Sequence, residues 1–306
     1  MTNNLLDNVH INFDSESLWV MNMVLGLVMF GVALEISIKD FKPLWTRPKA
    51  ILVGLCSQFI LLPALTFLFI IIIEPLPSIA LGMFMVAACP GGNISNFISY
   101  LSKANTALSV SLTAIATLLA IAMTPINFHF WSSFYGPGAS LIKEISISPY
   151  EMIKLVSLLL GLPLVLGMFI NYKKPSLALA IAKKLKIVSL VFFVSLVFIA
   201  LYKNRIIFLD YIYYVFWIVV LHNLIAFSTG YGIAKLFRLP AESRRSVTIE
   251  TGIQNSGLGL LLIFTFFDGL GGMALLAAFW GIWHIVSGLI LAAIWYNKVI
   301  VKNTIA

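Results

Sequence analysis

Long runs without Asp, Glu, Lys or Arg constrain the fold of this 306-residue chain more than any other feature. These runs cover 50–73, 75–102, 104–142, 155–172, 211–234 and 269–297. A helix needs about 20 apolar residues to cross a bilayer, whereas membrane strands alternate apolar and polar residues in units of about 10. Because that alternation is absent, the runs predict an all-α polytopic membrane protein embedded in a lipid bilayer.

The predicted spans and their connections also fix an orientation. The nine predicted transmembrane helices cover 17–37, 49–73, 77–103, 105–128, 149–171, 183–202, 209–236, 241–267 and 270–297, after an N-terminal tail at 1–16. Of the 20 Lys and Arg residues, 16 fall on one side of these helices. The positive-inside rule makes that side cytoplasmic, which predicts a multi-pass cell-membrane protein with its N-terminus outside and its C-terminus inside. The net charge of +8 is then an orientation signal, and we expect no nucleic-acid partner.

Two of the predicted helices carry signals for an interruption at membrane depth. The third contains Pro90-Gly91-Gly92-Asn93, in which proline removes a backbone donor and the glycines permit unusual dihedral angles. The eighth contains Gly252 and then Gln254-Asn255-Ser256-Gly257. Paired interruptions at corresponding positions of two halves are typical of transporters, so we predict an inverted repeat with two broken, crossing helices.

Glu250 lies near the middle of the eighth predicted helix, where an ionised carboxylate costs a few kcal/mol or more without a partner. A bound cation is the simplest partner, which favours ion-coupled transport. Ser109 and Thr113 share one helical face, and Gln58 lies inside an apolar run. Unwound carbonyls and the carboxylate would suit Na⁺, while the amino ends of the half-helices would attract an anion.

Taken together, these motifs resemble those of the bile acid:sodium symporter family. The resemblance rests on Pro90–Asn96, on Glu250–Asn255, on Leu108–Thr113 and on the segment around Gln58. It covers most of 17–300 and implies a transporter domain over 17–306 with two parts. The implied panel holds the helices at 17–37, 149–171 and 183–202, and the implied core holds the other six.

The resemblance also implies residue roles. The implied first sodium site comprises Ser95, Asn96, Ser109, Thr113 and Glu250. The implied second site comprises Gln58, Gln254, Glu250 and the carbonyls near Thr251 and Ile253. Asn93 and Asn255 would face the substrate. His284 is interpreted as a helix-bridging histidine, with substrate contact as an open alternative.

The expected function is import of bile acids or similar organic anions with Na⁺ by alternating access. Relatives that carry small carboxylates such as pantoate keep that substrate class open. A proton-coupled carrier that uses Glu250, a channel and an intramembrane hydrolase remain as rivals. The sequence shows no nucleophile–base pair, zinc spacing or nucleotide loop, so we expect no enzyme activity and no cofactor beyond co-transported Na⁺.

Overall fold

The computed structural model describes Asp7 and residues 15–145, 149–203 and 205–305. Every regular element among these residues is helical, apart from one isolated antiparallel bridge between Gly91 and Gln254. Five of the described helices are long and apolar enough to cross a membrane, and three shorter apolar helices accompany them. The predicted all-α fold is therefore confirmed, and these helices are compatible with the predicted membrane protein; the count of nine transmembrane helices stays a prediction.

Twelve helices are labelled here in chain order. The first half contains α1 (Ser15–Glu35), α2 (Pro48–Ile73), α3 (Pro77–Ala88), α4 (Ile94–Leu101), α5 (Thr106–Ser133) and α6 (Gly136–Ile145). The second half contains α7 (Pro149–Val156 and Leu162–Lys173, joined by a π-turn), α8 (Pro175–Lys203), α9 (Arg205–Leu236), α10 (Ala241–Gly252), α11 (Ser256–Phe266) and α12 (Gly271–Ile305). A 3₁₀ turn, Ile38–Phe41, and a short helix, Pro43–Thr46, lie between α1 and α2.

Prolines set several of these boundaries. Pro48, Pro77 and Pro175 stand at helix starts, where the missing N–H would have no partner in any case. Inside α2 and α7, a π-turn precedes the internal proline, at Ser57–Leu61 and Ser157–Gly161. The wider turn accommodates a ring that would otherwise clash with the preceding carbonyl.

Some predicted helix ends are wrong. The helix predicted at 183–202 begins at Pro175, the one predicted at 105–128 continues to Ser133, and the one predicted at 270–297 continues to Ile305. The predictions stopped where charged or polar residues began. Lysine is nevertheless a good helix former, and charge ends a hydrophobic span without ending the helix that contains it.

One residue of the predicted N-terminal tail, Asp7, contacts the helical bundle. The Asp7 carboxylate accepts a hydrogen bond from the Ser78 N–H at 2.9 Å, in the first turn of α3, where a negative charge is favourable. Nearby, the Tyr135 hydroxyl donates to the Pro75 carbonyl. Burial, with Glu74 and Asp7 close by, raises the pKa of Tyr135. The other residues of 1–14 lie outside the described part of the chain.

Helix packing places the two interrupted segments in the interior. α1 packs against α7 and α8, while α3 packs against α12 and α5, and α10 packs against α9. The largest apolar cluster surrounds the fully buried Trp280 of α12 and includes most of α3 and α11. The polar residues next to both interruptions are therefore held by closely packed neighbours.

Candidate functional site

The chain leaves helical geometry in the middle of both interrupted segments. α3 ends at Ala88, Cys89 is extended (φ −70°, ψ 157°), and α4 begins at Ile94. In the second segment α10 ends at Gly252, Ile253 is extended (φ −109°, ψ 98°), and α11 begins at Ser256. Both interruptions predicted from the sequence are present in the structure.

The two unwound stretches cross and pair with each other. The Gly92 N–H donates to the Ile253 carbonyl at 2.8 Å, and the Asn255 N–H donates to the Pro90 carbonyl at 2.8 Å. These bonds form the antiparallel bridge that joins Gly91 and Gln254. Because unpaired backbone groups are costly at membrane depth, this pairing allows both helices to be broken there.

Both glycines are required by close approach at the crossing. A Cβ on Gly91 would overlap the Glu250 carboxylate, and a Cβ on Gly92 would lie 2.9 Å from the Gln254 carbonyl oxygen. The first of these contacts involves the buried acid itself. Gly91 therefore makes room for the Glu250 side chain.

The carboxylate of Glu250, in the last turn of α10, is buried among hydroxyl groups. Its Oε2 accepts from the Ser95 hydroxyl at 2.6 Å, and the Thr113 hydroxyl lies 2.8 Å from Oε1 and 3.0 Å from Oε2. Among the described residues, no Lys, Arg or His forms an ion pair with it. Within the described part of the chain, the partner expected for the Glu250 charge is therefore not a cationic side chain.

The Thr113 hydroxyl has more oxygen neighbours than it can satisfy. Besides both Glu250 oxygens, it lies 3.3 Å from Ser95 Oγ, 3.2 Å from Asn96 Oδ1 and 3.1 Å from the Ser109 carbonyl oxygen. One hydroxyl carries one hydrogen and can donate one such bond at a time. The cluster therefore contains more oxygen lone pairs than hydrogens to bond with them. Oxygen atoms of this kind are the ligands that a hard cation prefers.

All five residues predicted for the first sodium site meet in this cluster. Ser109 joins it through its carbonyl oxygen, which accepts from the Thr113 hydroxyl at 3.1 Å, and its own hydroxyl accepts from the Ser99 hydroxyl at 3.0 Å. Ser99 lies one turn after Ser95 on α4 and was not predicted. Its spacing of four residues from Ser95 was the available signal.

Gln58 and Gln254 form a second polar cluster beside the crossing. Gln58 Nε2 donates to the Cys89 carbonyl at 2.7 Å and to Gln254 Oε1 at 2.8 Å, while Gln254 Nε2 donates to the Thr251 carbonyl at 2.6 Å. The Ser57 hydroxyl, which was not predicted, lies 2.8 Å from the Thr251 hydroxyl. Of the residues predicted for the second sodium site, the Ile253 carbonyl is engaged in the crossing, and the hydrogen bonds described for Glu250 go to the first cluster.

The residues predicted to face the substrate differ in their surroundings. Asn255 caps α11 by accepting from the Leu258 N–H at 3.0 Å, whereas Asn93 occupies the same position before α4 without a side-chain cap. Both are half-buried at the crossing. His284 is buried on α12, one turn before Gly288, which packs against Ile253.

Asn223 on α9 is a further polar residue that the sequence reasoning missed. Its Nδ2 donates to the Gly252 carbonyl at 2.8 Å, and its Oδ1 accepts from the Ser287 hydroxyl at 2.6 Å. It therefore fastens the end of α10 to α9 and α12. Gln58 was singled out because its carboxamide lies inside a run without charged residues. Asn223 lies in such a run too, so the same pattern could have indicated it.

Replacing Asn223 by leucine should destabilise the protein by about 1–2 kcal/mol, because the Gly252 carbonyl loses its donor at a buried position. Thermal unfolding of the purified protein in detergent measures this effect. Asn127→Leu is the matched control, since its buried Nδ2 has no partner among the described residues. Equal stability of the two variants would contradict a structural role for Asn223.

Broken helices that cross beside a buried carboxylate in a helical membrane protein define the class of secondary transporters. The sequence comparisons agree with this class. The model of the sodium bile acid symporter family matches residues 22–210. This chain belongs to the sodium bile acid symporter family, as its motifs predicted.

Individual relatives extend the match beyond the region that the family model covers. The chain is similar to the uncharacterized sodium-dependent transporter YocS of Bacillus subtilis, with 32% identity over 94% of this chain and 87% of that protein. It is 31% identical to the human ileal sodium/bile acid cotransporter over 78% of this chain and 67% of that protein. It is 27% identical to the human sodium-dependent organic anion transporter over 93% and 74%, respectively. These relatives are transporters and not enzymes.

Proposed function

We propose that this protein is a symporter that couples the entry of an organic anion to Na⁺. The observation that carries the proposal is the buried Glu250 carboxylate within the oxygen-rich cluster around Thr113. A cation bound there would coordinate the oxygen lone pairs that the single hydrogen of the Thr113 hydroxyl cannot satisfy. It would also neutralise a charge that is expensive at this depth.

The two clusters correspond to two sodium sites in this proposal. The first uses Ser95, Asn96, Ser109, Thr113 and Glu250, which meet within hydrogen-bonding distances. The second uses the side-chain oxygens of Gln58 and Gln254 and the carbonyls of Thr251 and Ile253. In this proposal Glu250 serves the second site as well, as the residue that directly precedes Thr251, although the hydrogen bonds described for its carboxylate go to the first cluster.

The anion is proposed to bind beside the crossing, near Asn93 and Asn255. α4 and α11 both begin there, and helix amino ends carry partial positive charge that favours anions. A sodium ion at the Glu250 cluster would add to that field. Binding of ion and anion would then be mutually favourable, and coupling of about 1–3 kcal/mol is typical for such linked sites.

Transport would proceed by movement of a panel against a core. The panel consists of α1, α7 and α8, which pack against one another, and the core contains the crossing helices and their neighbours. In this scheme the chain crosses the membrane nine times as an inverted repeat, with the N-terminus outside and the basic end cytoplasmic. The hydrogen bonds described at the crossing join α2, α3, α4, α5, α9, α10, α11 and α12, so that part would move as one unit.

Bile acids or similar bulky organic anions are the substrates that we favour. Two similar proteins bear names that specify bile acid or organic anion transport with sodium. Small carboxylates such as pantoate form the alternative substrate class. His284 lies one turn before Gly288, which packs against Ile253 at the crossing. Because of this position, His284 is included in the proposal as a residue that contacts the substrate.

Uptake into proteoliposomes tests the function directly. Labelled taurocholate should accumulate when an inward Na⁺ gradient is applied, and accumulation should stop when choline replaces Na⁺ at constant pH. Accumulation of labelled pantoate in place of taurocholate would favour the alternative substrate class. Na⁺, but not K⁺, should also raise the melting temperature of the purified protein. Uptake that continues in choline and follows a pH gradient would replace Na⁺ coupling by proton coupling.

A further inference from the structure

A cleft of about 440 Å³ opens between the end of α4 and α12, away from the crossing. It lies at the basic end of the bundle, next to the segment that Arg245 contacts. Its lining includes Tyr100, Lys103, Ala292, Ala293, Tyr296 and Asn297. These residues take no part in either cluster of the proposed sodium sites.

The position of Lys103 is fixed by its backbone. Its φ of 53° lies in the left-handed region, and its N–H donates to the Tyr100 carbonyl at the end of α4. Arg245 Nη1, from α10, donates to the Ser102 carbonyl at 2.9 Å and reaches the Lys103 carbonyl at 3.4 Å. The Arg245 guanidinium in turn lies over the Trp295 ring, so α4, α10 and α12 meet here.

The Lys103 ammonium group lies between two tyrosine rings. It is 5.9 Å from the centroid of Tyr100 and 5.5 Å from that of Tyr296, and no described carboxylate pairs with it. Cation–π contacts of this kind orient an ammonium group but leave its N–H donors available to an anion. The head of the cleft is therefore positively charged; Glu242 interacts electrostatically with the neighbouring Arg245, but no ion pair of Glu242 with Lys103 is described.

The rest of the cleft is apolar and shallow. Ala292 and Ala293 form a low floor on α12, and Leu289 continues it toward the middle of the helix. Leu289 and Phe97 are exposed large apolar residues on α12 and α4, as expected for surfaces that face acyl chains. A charged head joined to an apolar channel has the complementary shape and charge of one phospholipid.

We propose that this cleft binds an anionic phospholipid. Its phosphodiester group would contact the Lys103 ammonium, with the tyrosine hydroxyls and the Asn297 amide as further donors, and one acyl chain would lie along Ala292 and Ala293. Basic pockets between helices at the cytoplasmic side of membrane proteins suit such headgroups. The lipid would link α4 to α12 independently of any transported ion.

Native mass spectrometry of the detergent-solubilised protein tests this site. Titration with phosphatidylglycerol should give tighter retention than titration with phosphatidylcholine, and Lys103→Gln should weaken phosphatidylglycerol binding about fivefold. Lys173→Gln is the matched control, because that lysine also lies over aromatic rings but does not line this cleft. An equal loss in both variants, or equal retention of the two lipids, would overturn the proposal.

Two further measurements separate a lipid from a free anion. Ala293→Leu, at an exposed position, should fill the acyl channel and lower phosphatidylglycerol retention while the protein keeps its melting temperature. Inorganic phosphate added at millimolar concentration should not displace the lipid. Displacement by phosphate, or undiminished retention in Ala293→Leu, would show that the cleft does not hold a phospholipid.

Discussion

Replacing Glu250 by glutamine should lower Na⁺-dependent uptake by about 100-fold or more. Glutamine preserves the size of the side chain, but it removes the charge that we propose to pair with Na⁺. Removing one partner of a buried ion pair costs about 3–5 kcal/mol, and each 1.4 kcal/mol corresponds to about a tenfold change in affinity. Initial rates in proteoliposomes, measured across a range of Na⁺ concentrations, give the size of the effect.

The control for this variant is Glu242→Gln. Glu242 belongs to the same helix, in its exposed first turn, so the control removes the same charge at the surface. Both variants should insert and purify like the original protein, and Glu242→Gln should retain uptake. Full Na⁺-driven uptake by Glu250→Gln would remove the carboxylate from the mechanism and leave the Thr113 cluster without a role in coupling.

Replacing Gly91 by alanine should also weaken Na⁺ binding, although it adds a single methyl group, and the effect should be smaller than that of Glu250→Gln. The added Cβ would overlap the Glu250 carboxylate and push it away from Ser95 and Thr113. Overpacking in a buried site costs about 1–3 kcal/mol, so we expect an apparent Na⁺ affinity lower by about tenfold. The Na⁺ concentration that gives half-maximal uptake measures this change.

Gly232→Ala supplies the comparison for that experiment. Gly232 lies on α9 with nothing within 4 Å of its added Cβ, so this variant should keep its Na⁺ affinity and unfold at the same or a higher temperature. If Gly91→Ala also kept its Na⁺ affinity, the close approach of backbone and carboxylate at the crossing would have no bearing on ion binding.

The sequence predicted the class of fold because membrane solvation acts locally. A lipid-facing run of 20 apolar residues is helical in a bilayer, since its backbone groups must be paired within the segment; the two interrupted segments differ because their unwound groups pair with each other inside the protein. Helix ends outside the bilayer obey no such rule. The start of α8 at Pro175 and the extension of α12 to Ile305 therefore follow from helix propensity. The prediction missed them because it ended each helix where charged residues begin.

The site was predictable in its residue types but not in its pairings. Pro90, Gly91 and Glu250 are unusual in apolar segments, and their combination in one chain made the site recognisable. Their partners lie far away in the chain: Gly92 pairs with Ile253, and Asn223 serves Gly252 across two different helices. Such pairings follow from three-dimensional packing and cannot be predicted from a local sequence pattern.

The antiparallel bridge at the crossing has a consequence for biogenesis. The Pro90 carbonyl and the Gly92 N–H find their partners in Asn255 and Ile253, which leave the ribosome more than half a chain later. Until then, the nascent first half holds unpaired peptide groups at membrane depth, each of which costs several kcal/mol. The crossing can therefore form only after the later helices have been synthesised. In a polypeptide that ended before Ile253, the Pro90 carbonyl and the Gly92 N–H would stay without these partners.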